Sequence, residues 1–377
     1  MRPRRAATRL PPGSDSPSDV PPAPRAALTR LLALCALAAV TACTLPSSAP
    51  SAPLAAGGFA FAAIGDMPYA EGQVPVVDGL LADMDADPQV DFVIHVGDLK
   101  GGGERCDDAL LESRHRQLQA LRKPWLYTPG DNEWTDCHRA AGGRYLPTER
   151  LAFLRRLFFP QPGRSGGTPP LALDSQASMA GHEPYVENSM FVHRRVLVAT
   201  LHVPGSRNGL EPWLGIDPAD SDARPRPDRA AEVRAREAAA LAWLDRAFRR
   251  ARAADAIGVV LAFHANPGFE RGAGSAPRTG FEPLLQRLRQ HVQAFGRPVL
   301  VVHGDHHQLI VDRPWAGEAA GSGGADGADA AAAGSGLRRL QRVQVYGHPW
   351  LYWVKLRVDP ASPDVFAVEP RSAAPRR

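Results

Sequence analysis

Apolar residues along the chain follow two alternating rhythms. Short runs with almost no polar interruption cover residues 59–64, 92–96, 125–128, 196–201, 257–263 and 299–302. They are too short for helices and rich in Val, Ile, Leu and Phe, as expected of strands buried on both faces. Between them apolar residues recur every three or four positions. One stripe is Leu151, Leu154, Leu157 and Phe158, a second is Leu241, Leu244, Phe248 and Ala251 behind Asp228 as N-cap, and a third is Leu284, Leu285, Leu288, Val292 and Phe295. Each stripe marks one core-facing side of a helix and needs no chemistry to explain it. Strands alternating with helices predict an α/β fold. A single domain over 58–358, about 300 residues, is long enough to bury about three-quarters of its unfolded surface.

The rhythm fails in four places. Residues 31–40 form an apolar run behind Arg25 and Arg30, shorter than the roughly 20 residues of a membrane-spanning helix. A charged flank, a short apolar centre and small residues after it mark 1–42 as a signal peptide. Its end, Val40-Thr41-Ala42-Cys43, resembles a bacterial lipobox, which implies lipid attachment at Cys43, a membrane anchor and the periplasmic face of the outer membrane. Residues 43–57, rich in Pro, Ser and Ala, are expected to be a tether with nothing to bury. A low-complexity Gly/Ala insert at 316–336 should be a surface loop, and 359–377 a C-terminal tail.

Charge narrows the function classes. The 377 residues carry a formal +4, but six of the 44 basic and two of the 40 acidic residues lie in 1–42, so the remainder is neutral. A neutral body gives no reason to expect a nucleic-acid surface. None of the three lysines follows a Gly, which excludes a Walker-type phosphate loop. Cys35 leaves with the signal and Cys43 takes lipid, so Cys106 and Cys137 remain as a disulfide that an exported compartment permits. Ser206 falls one position early for a GxSxG elbow, and the segment at His182 lacks the second histidine of HExxH.

Candidate chemistry sits where strands end. Gly65-Asp66, Gly97-Asp98, Gly130-Asp131-Asn132-Glu133, His264 and Gly304-Asp305-His306-His307 each follow an apolar run. Ligands of α/β sheets bind beyond the carboxyl ends of strands, and a glycine before the aspartate is expected to let the backbone turn there. Four Asp and two His supply the mixed oxygen and nitrogen donors of a two-metal site. Separations of 32 residues from Asp66 to Asp98 and 33 to Asp131 suit one strand–helix–strand step each.

This order resembles the calcineurin-like metallophosphoesterases, among them the purple acid phosphatases, whose pattern is Asp-x-His, Gly-Asp, Gly-Asn-His-Asp/Glu, a lone His and Gly-His-x-His. The resemblance covers about 59–358 and implies a four-layer α/β/β/α sandwich with two mixed sheets. It also implies hydrolysis of small phosphate esters by a metal-activated water at a dinuclear site. Carried over, Asp66 and His307 bind the first ion, Asp98 bridges, and Asp131, His264 and Asp305 bind the second. The departures are specific. Pro68 stands where the first motif has its histidine, and Gly101 where purple acid phosphatases have a tyrosine ligand. Asp131 and Asp305 replace neutral ligands, which favours Mn²⁺ or Mg²⁺ over Zn²⁺, with Fe also within the family's range. Asn132 occupies the place of the catalytic histidine and cannot shuttle a proton.

Three further residues are candidates. Lys100 is placed to meet a phosphate oxygen, against the plainer reading of a solvated loop lysine. His202 is a replacement acid, against a structural turn shared with Asn208. Glu133 is expected to support the metal shell by a hydrogen bond. The sequence therefore points to a metal-dependent phosphoesterase of the bacterial cell envelope. The alternative is a catalytically weak or inactive envelope binding protein that retains the fold.

Overall fold

A computed structural model describes residues 51–317 and 336–372. The signal segment, Cys43, most of the tether and most of the insert lie outside the described residues. Strands β1 (Phe59–Ile64), β2 (Val90–His95) and β3 (Trp125–Tyr127) are parallel neighbours in one sheet. A second sheet contains β4 (Asp174–Ser175), β5 (Ser189–His193), β6 (Val196–Thr200), β7 (Gly258–Ala262), β8 (Val299–His303), β9 (Ile310–Asp312) and β10 (Leu340–Gln344). Its order is β4-β5-β6-β7-β8-β10-β9, parallel from β6 to β10 and antiparallel at both edges. The chain then returns to the first sheet with β11 (Trp353–Val358) and β12 (Phe366–Arg371), giving the order β12-β11-β1-β2-β3.

Side-chain alternation turns these sheets into layers. Phe59, Phe61 and Ala63 of β1 meet Val198, Val260, Ala262 and Leu300 of the other sheet in one apolar cluster. Ala62 and Ile64, on the opposite face of β1, pack with Leu80, Leu111 and Leu154 from helices Val74–Ala86, Asp108–Gln119 and Pro147–Phe158. Val259 and Leu261 of β7 likewise face helices Pro227–Ala253 and Glu282–Phe295. Because successive side chains of a strand point to opposite faces, each central strand is apolar throughout. The result is the expected α/β/β/α sandwich with two mixed sheets.

Four expectations need correction. The domain does not end at 358: β12 pairs with β11 over six residues, so 366–371 is sheet rather than tail. The last tether residues are docked too, with Arg357 donating to the carbonyls of Ala52 and Pro53 and Lys355 to Ser51 Oγ. The long helix starts at Pro227 behind Arg226, and Asp228 lies in its first turn, paired with Arg226. Strands β10 and β11 escape an apolar-run criterion because they alternate with Arg342 and Lys355. Both cations are buried against carboxylates, Arg342 on Asp312 and Glu270, and Lys355 on Asp87.

Candidate metal centre

The parallel strands of both sheets run out at the same end, and the candidate ligands lie just beyond them. Asp66 follows β1, Asp98 follows β2, Asp131 follows β3, His264 follows β7, and Asp305 and His307 follow β8. The left-handed turn expected of the glycines is taken mostly by the aspartates themselves, with φ of 55° at Asp66, 55° at Asp98 and 81° at Asp305. Only Gly97 also has a positive φ among the glycines of these motifs. The others are needed for room. A Cβ on Gly130 would come within 2.1 Å of Asp98 Oδ1, and one on Gly304 within 2.2 Å of Asp66 Oδ2.

The donors converge on a small volume. One donor atom from each of Asp66, Asp98 and His264 lies within 4.8 Å of the others. His264 Nε2 is 3.5 Å from both Asp98 Oδ1 and Asp131 Oδ1, and His307 Nε2 is 3.7 Å from Asp66 Oδ1. Both rings are oriented from behind, His264 Nδ1 by the carbonyl of Val96 at 2.9 Å and His307 Nδ1 by that of His348 at 2.7 Å. An Nδ1–H bonded this way leaves the Nε2 lone pair facing the carboxylates, as a metal-ligating histidine requires. Glu133 Oε1 accepts from the backbone of Asp98 and Gly130 and from the Tyr127 hydroxyl, so it ties the second motif to the third.

The electrostatics call for a cation. Burial, and then the charge of Asp305 and Asp131, pushes Asp66 up to about 7 even though His264 opposes the shift. Burial also lifts Asp98 well above the carboxylate range, with Asp131, Glu133 and Asp66 adding to it. Burial disfavours a proton on His264, yet the charge of Asp98 and contact with Asp131 outweigh it and raise the ring's pKa. Burial acts on Asp131 as well, but His264 and Ser206 reverse the shift and lower it. Asp66 Oδ2 and His264 Nε2 are buried without a hydrogen-bond partner. Unpaired donors and crowded carboxylates cost free energy unless something positive joins them. Hard oxygen donors with two imidazoles fit one or two divalent ions.

Above the cluster opens a cavity of about 490 Å³, with Asp98, Asp131, Asn132 and Asp305 in its lining. Its arginines, Arg139, Arg207 and Arg271, stand among further carboxylates, Asp136, Glu211 and Glu270. Ser206 Oγ reaches Asp131 at 2.7 Å and Asp136 at 2.8 Å from a turn in which Ser206, Arg207 and Asn208 all have positive φ. Asn208 is buried under that turn against Gly280 and Arg236, a structural role.

Two candidates are not brought to the cavity. Lys100 is fully buried and donates to the carbonyls of Gly101 and Asn132 at 2.8 Å each, so it staples two loops and faces no phosphate. His202 is also fully buried, with Nδ1 on Glu187 at 2.8 Å and its ring against Trp134. Asn132 does reach the cluster, its amide donating to Asp98 Oδ2 at 2.6 Å. Cys106 and Cys137 form a disulfide, with Cα atoms 5.8 Å apart. Tyr69 was missed. Its hydroxyl donates to Asp98 Oδ2 at 2.6 Å and lies 3.4 Å from Asp66 Oδ1. The only linear signal was its place three residues after the first aspartate.

Solved structures similar to this chain share little sequence with it. The protein TT1561 of Thermus thermophilus has a TM-score of 0.39 at 11% identity, over 84% of this chain and 99% of that one. GAP50, the anchor in the inner membrane complex of Plasmodium, has 0.42 at 9%, over 85% and 90%. A purple acid phosphatase from yellow lupin seeds has 0.40 at 12%, over 85% of this chain and 52% of its own length. No curated protein sequence matches the chain significantly. The family assignment comes from the sequence itself, whose residues 59–309, spanning every proposed ligand, match the calcineurin-like phosphoesterase family; the chain belongs to that family.

Proposed function

We propose that this protein hydrolyses small phosphate esters at a two-ion centre, with Asp66 and His307 holding the first ion, Asp98 bridging, and Asp131, His264 and Asp305 holding the second. The observation that carries the reading is His264, locked from behind with Nε2 unpaired between Asp98 and Asp131. Divalent ions at such a site, Mn²⁺ or Mg²⁺ favoured by the carboxylate-rich donors, supply an activated water and neutralise charge on the phosphoryl oxygens. The chain's own part is positional. Glu133 fixes the loops of Asp98 and Asp131, Asn132 orients Asp98, and Arg139, Arg207 and Arg271 stand in the cavity wall, the first two already paired with Asp136, Glu211 and Asp222. With Lys100 turned away and two of these arginines paired, recognition of the phosphate rests chiefly on the ions.

Asn132 favours the second reading, a weak or inactive binding protein, because its amide is tied to Asp98 and cannot protonate a leaving group. Metal analysis with turnover of an aryl phosphomonoester and diester decides between them. Two ions and turnover support the enzyme; bound ions without turnover of either ester support the binding protein.

We further propose that the chain works in the cell envelope, exported and lipid-anchored through Cys43. The Cys106–Cys137 disulfide supports an oxidising compartment. Labelled fatty acid should enter the wild type and not Cys43→Ser, and equal labelling of both would end the assignment.

A further inference from the structure

We propose that Tyr69 is a ligand of the first metal ion, supplying the donor that Pro68 cannot. The proposal rests on the two-ion reading above. The phenol oxygen sits beside two carboxylates assigned to that ion, 2.6 Å from Asp98 Oδ2 and 3.4 Å from Asp66 Oδ1, and accepts from Asn132 Nδ2 at 3.2 Å. The Tyr69 ring meets His307 edge-on at 5.1 Å and stacks on His348 at 5.7 Å, and the His348 carbonyl in turn accepts from His307. Its backbone N–H is held by Gln73 at 2.8 Å.

Gly101 gives Tyr69 room. A Cβ there would lie 3.0 Å from the Tyr69 carbonyl oxygen, 3.1 Å from its Cβ and 3.3 Å from Cγ, so a side chain on the second motif's loop would press on Tyr69 and shift it by a few tenths of an ångström. A phenol whose oxygen touches two proposed ligand carboxylates either spends its hydrogen bond on them or joins them in coordination. A divalent or trivalent cation between Asp66 and Asp98 competes for those carboxylate lone pairs and favours the second state. On coordination the O–H bond breaks, its proton passes to solvent, and the electron pair left on oxygen forms the bond to the ion.

The test uses the purified full chain, wild type and Tyr69→Phe, each loaded with Fe³⁺ and separately with Mn²⁺. Phe keeps the ring that packs on Gly101 and His348 and removes only the oxygen. A phenolate bound to Fe³⁺ produces a charge-transfer band in the visible. We expect that band in the wild type and its loss in Tyr69→Phe. The first Mn²⁺ site should weaken at least by the roughly tenfold typical of removing a ligand's hydrogen-bond partner, while the second keeps its affinity. Two bound ions with no visible band, or a band and affinities unchanged in Tyr69→Phe, overturn the assignment of Tyr69 alone. A wild type that takes up no ion overturns the two-ion reading and this inference with it.

Discussion

Two buried histidines, His264 and His202, look alike in isolation and differ in everything around them. Each is fully buried, each has Nδ1 engaged, and each leaves Nε2 without a partner. Around His264 the unpaired nitrogen faces Asp98 and Asp131 at the floor of a cavity. Around His202 the charge is already balanced: Glu187 Oε1 accepts from the ring's N–H and from Arg155 at 2.6 Å, and Oε2 accepts from Arg155 at 3.0 Å. Burial keeps His202 neutral despite Glu187, whereas Arg155 and His202 together hold Glu187 down against its burial. An unpaired nitrogen signals a ligand only where other unsatisfied donors converge on it.

The contrast breaks first, and most, at the bridge. Asp98→Asn should lower ester hydrolysis by orders of magnitude and reduce bound metal with the fold intact, since two cations would then repel across less negative charge. His307→Ala should chiefly weaken the first ion. Metal stoichiometry and turnover across both variants check this, and unchanged metal content in Asp98→Asn would remove the bridging role.

The segment 131–137 joins the two regions, with Asp131 in the cluster, Trp134 against His202 and Cys137 in the disulfide. Its bridge to Cys106 closes a loop of sequence separation 31, which predicts about 3–4 kcal/mol lost in the Cys106→Ala/Cys137→Ala variant by urea unfolding. A midpoint shift near zero would show that the loops are held without it.

A smaller effect is expected of His202→Ala: a loss of about 1–3 kcal/mol from leaving Glu187 short of a partner, with turnover of both ester types nearly unchanged. Should the loss instead concentrate on esters with poor leaving groups, His202 would belong to the chemistry and the contrast would collapse.

His95 and His303, buried at the strand ends beneath the cluster, sharpen the picture through pH. Burial lowers both to about 3, below the roughly 6.5 of an exposed imidazole. The unfolded chain therefore binds more protons between those values. The stability of neutral burial is complete above about 6.5 and is lost as pH falls toward about 3, by about 1.4 kcal/mol per unit for each ring. Buried Asp66 and Asp98, raised by burial, take up protons over the same range with the opposite sign, so the check is a difference. In chelated protein the urea midpoint of His303→Gln should gain relative to wild type as pH falls from about 7 to about 5, and parallel profiles would mean that the ring is not kept neutral.

How much of this was written in the linear chain depended on whether a signal was local. Runs such as 59–64 and 299–302 needed only apolar continuity, because a central strand between two packed faces has no solvent side. The ligand set was legible for a similar reason, since each donor directly follows its own strand. Local pattern misled at β11 and β10, where Lys355 and Arg342 look solvent-facing until Asp87, Asp312 and Glu270 arrive from distant segments.

The roles of single polar side chains were decided only in three dimensions. Lys100 and His202 have the residue types of catalytic groups, but their directions depend on which carbonyls and carboxylates the packed loops bring near. Tyr69 follows the first aspartate by three residues, but that spacing does not say where its oxygen lies, which depends on room left by Gly101 from another loop. Sequence by itself determined the layers and the order of the ligand-bearing turns, since hydrophobic periodicity and strand ends are properties of neighbouring residues. Only the tertiary structure decided which polar groups face the cavity, because hydrogen bonding and burial are settled between residues far apart in the chain.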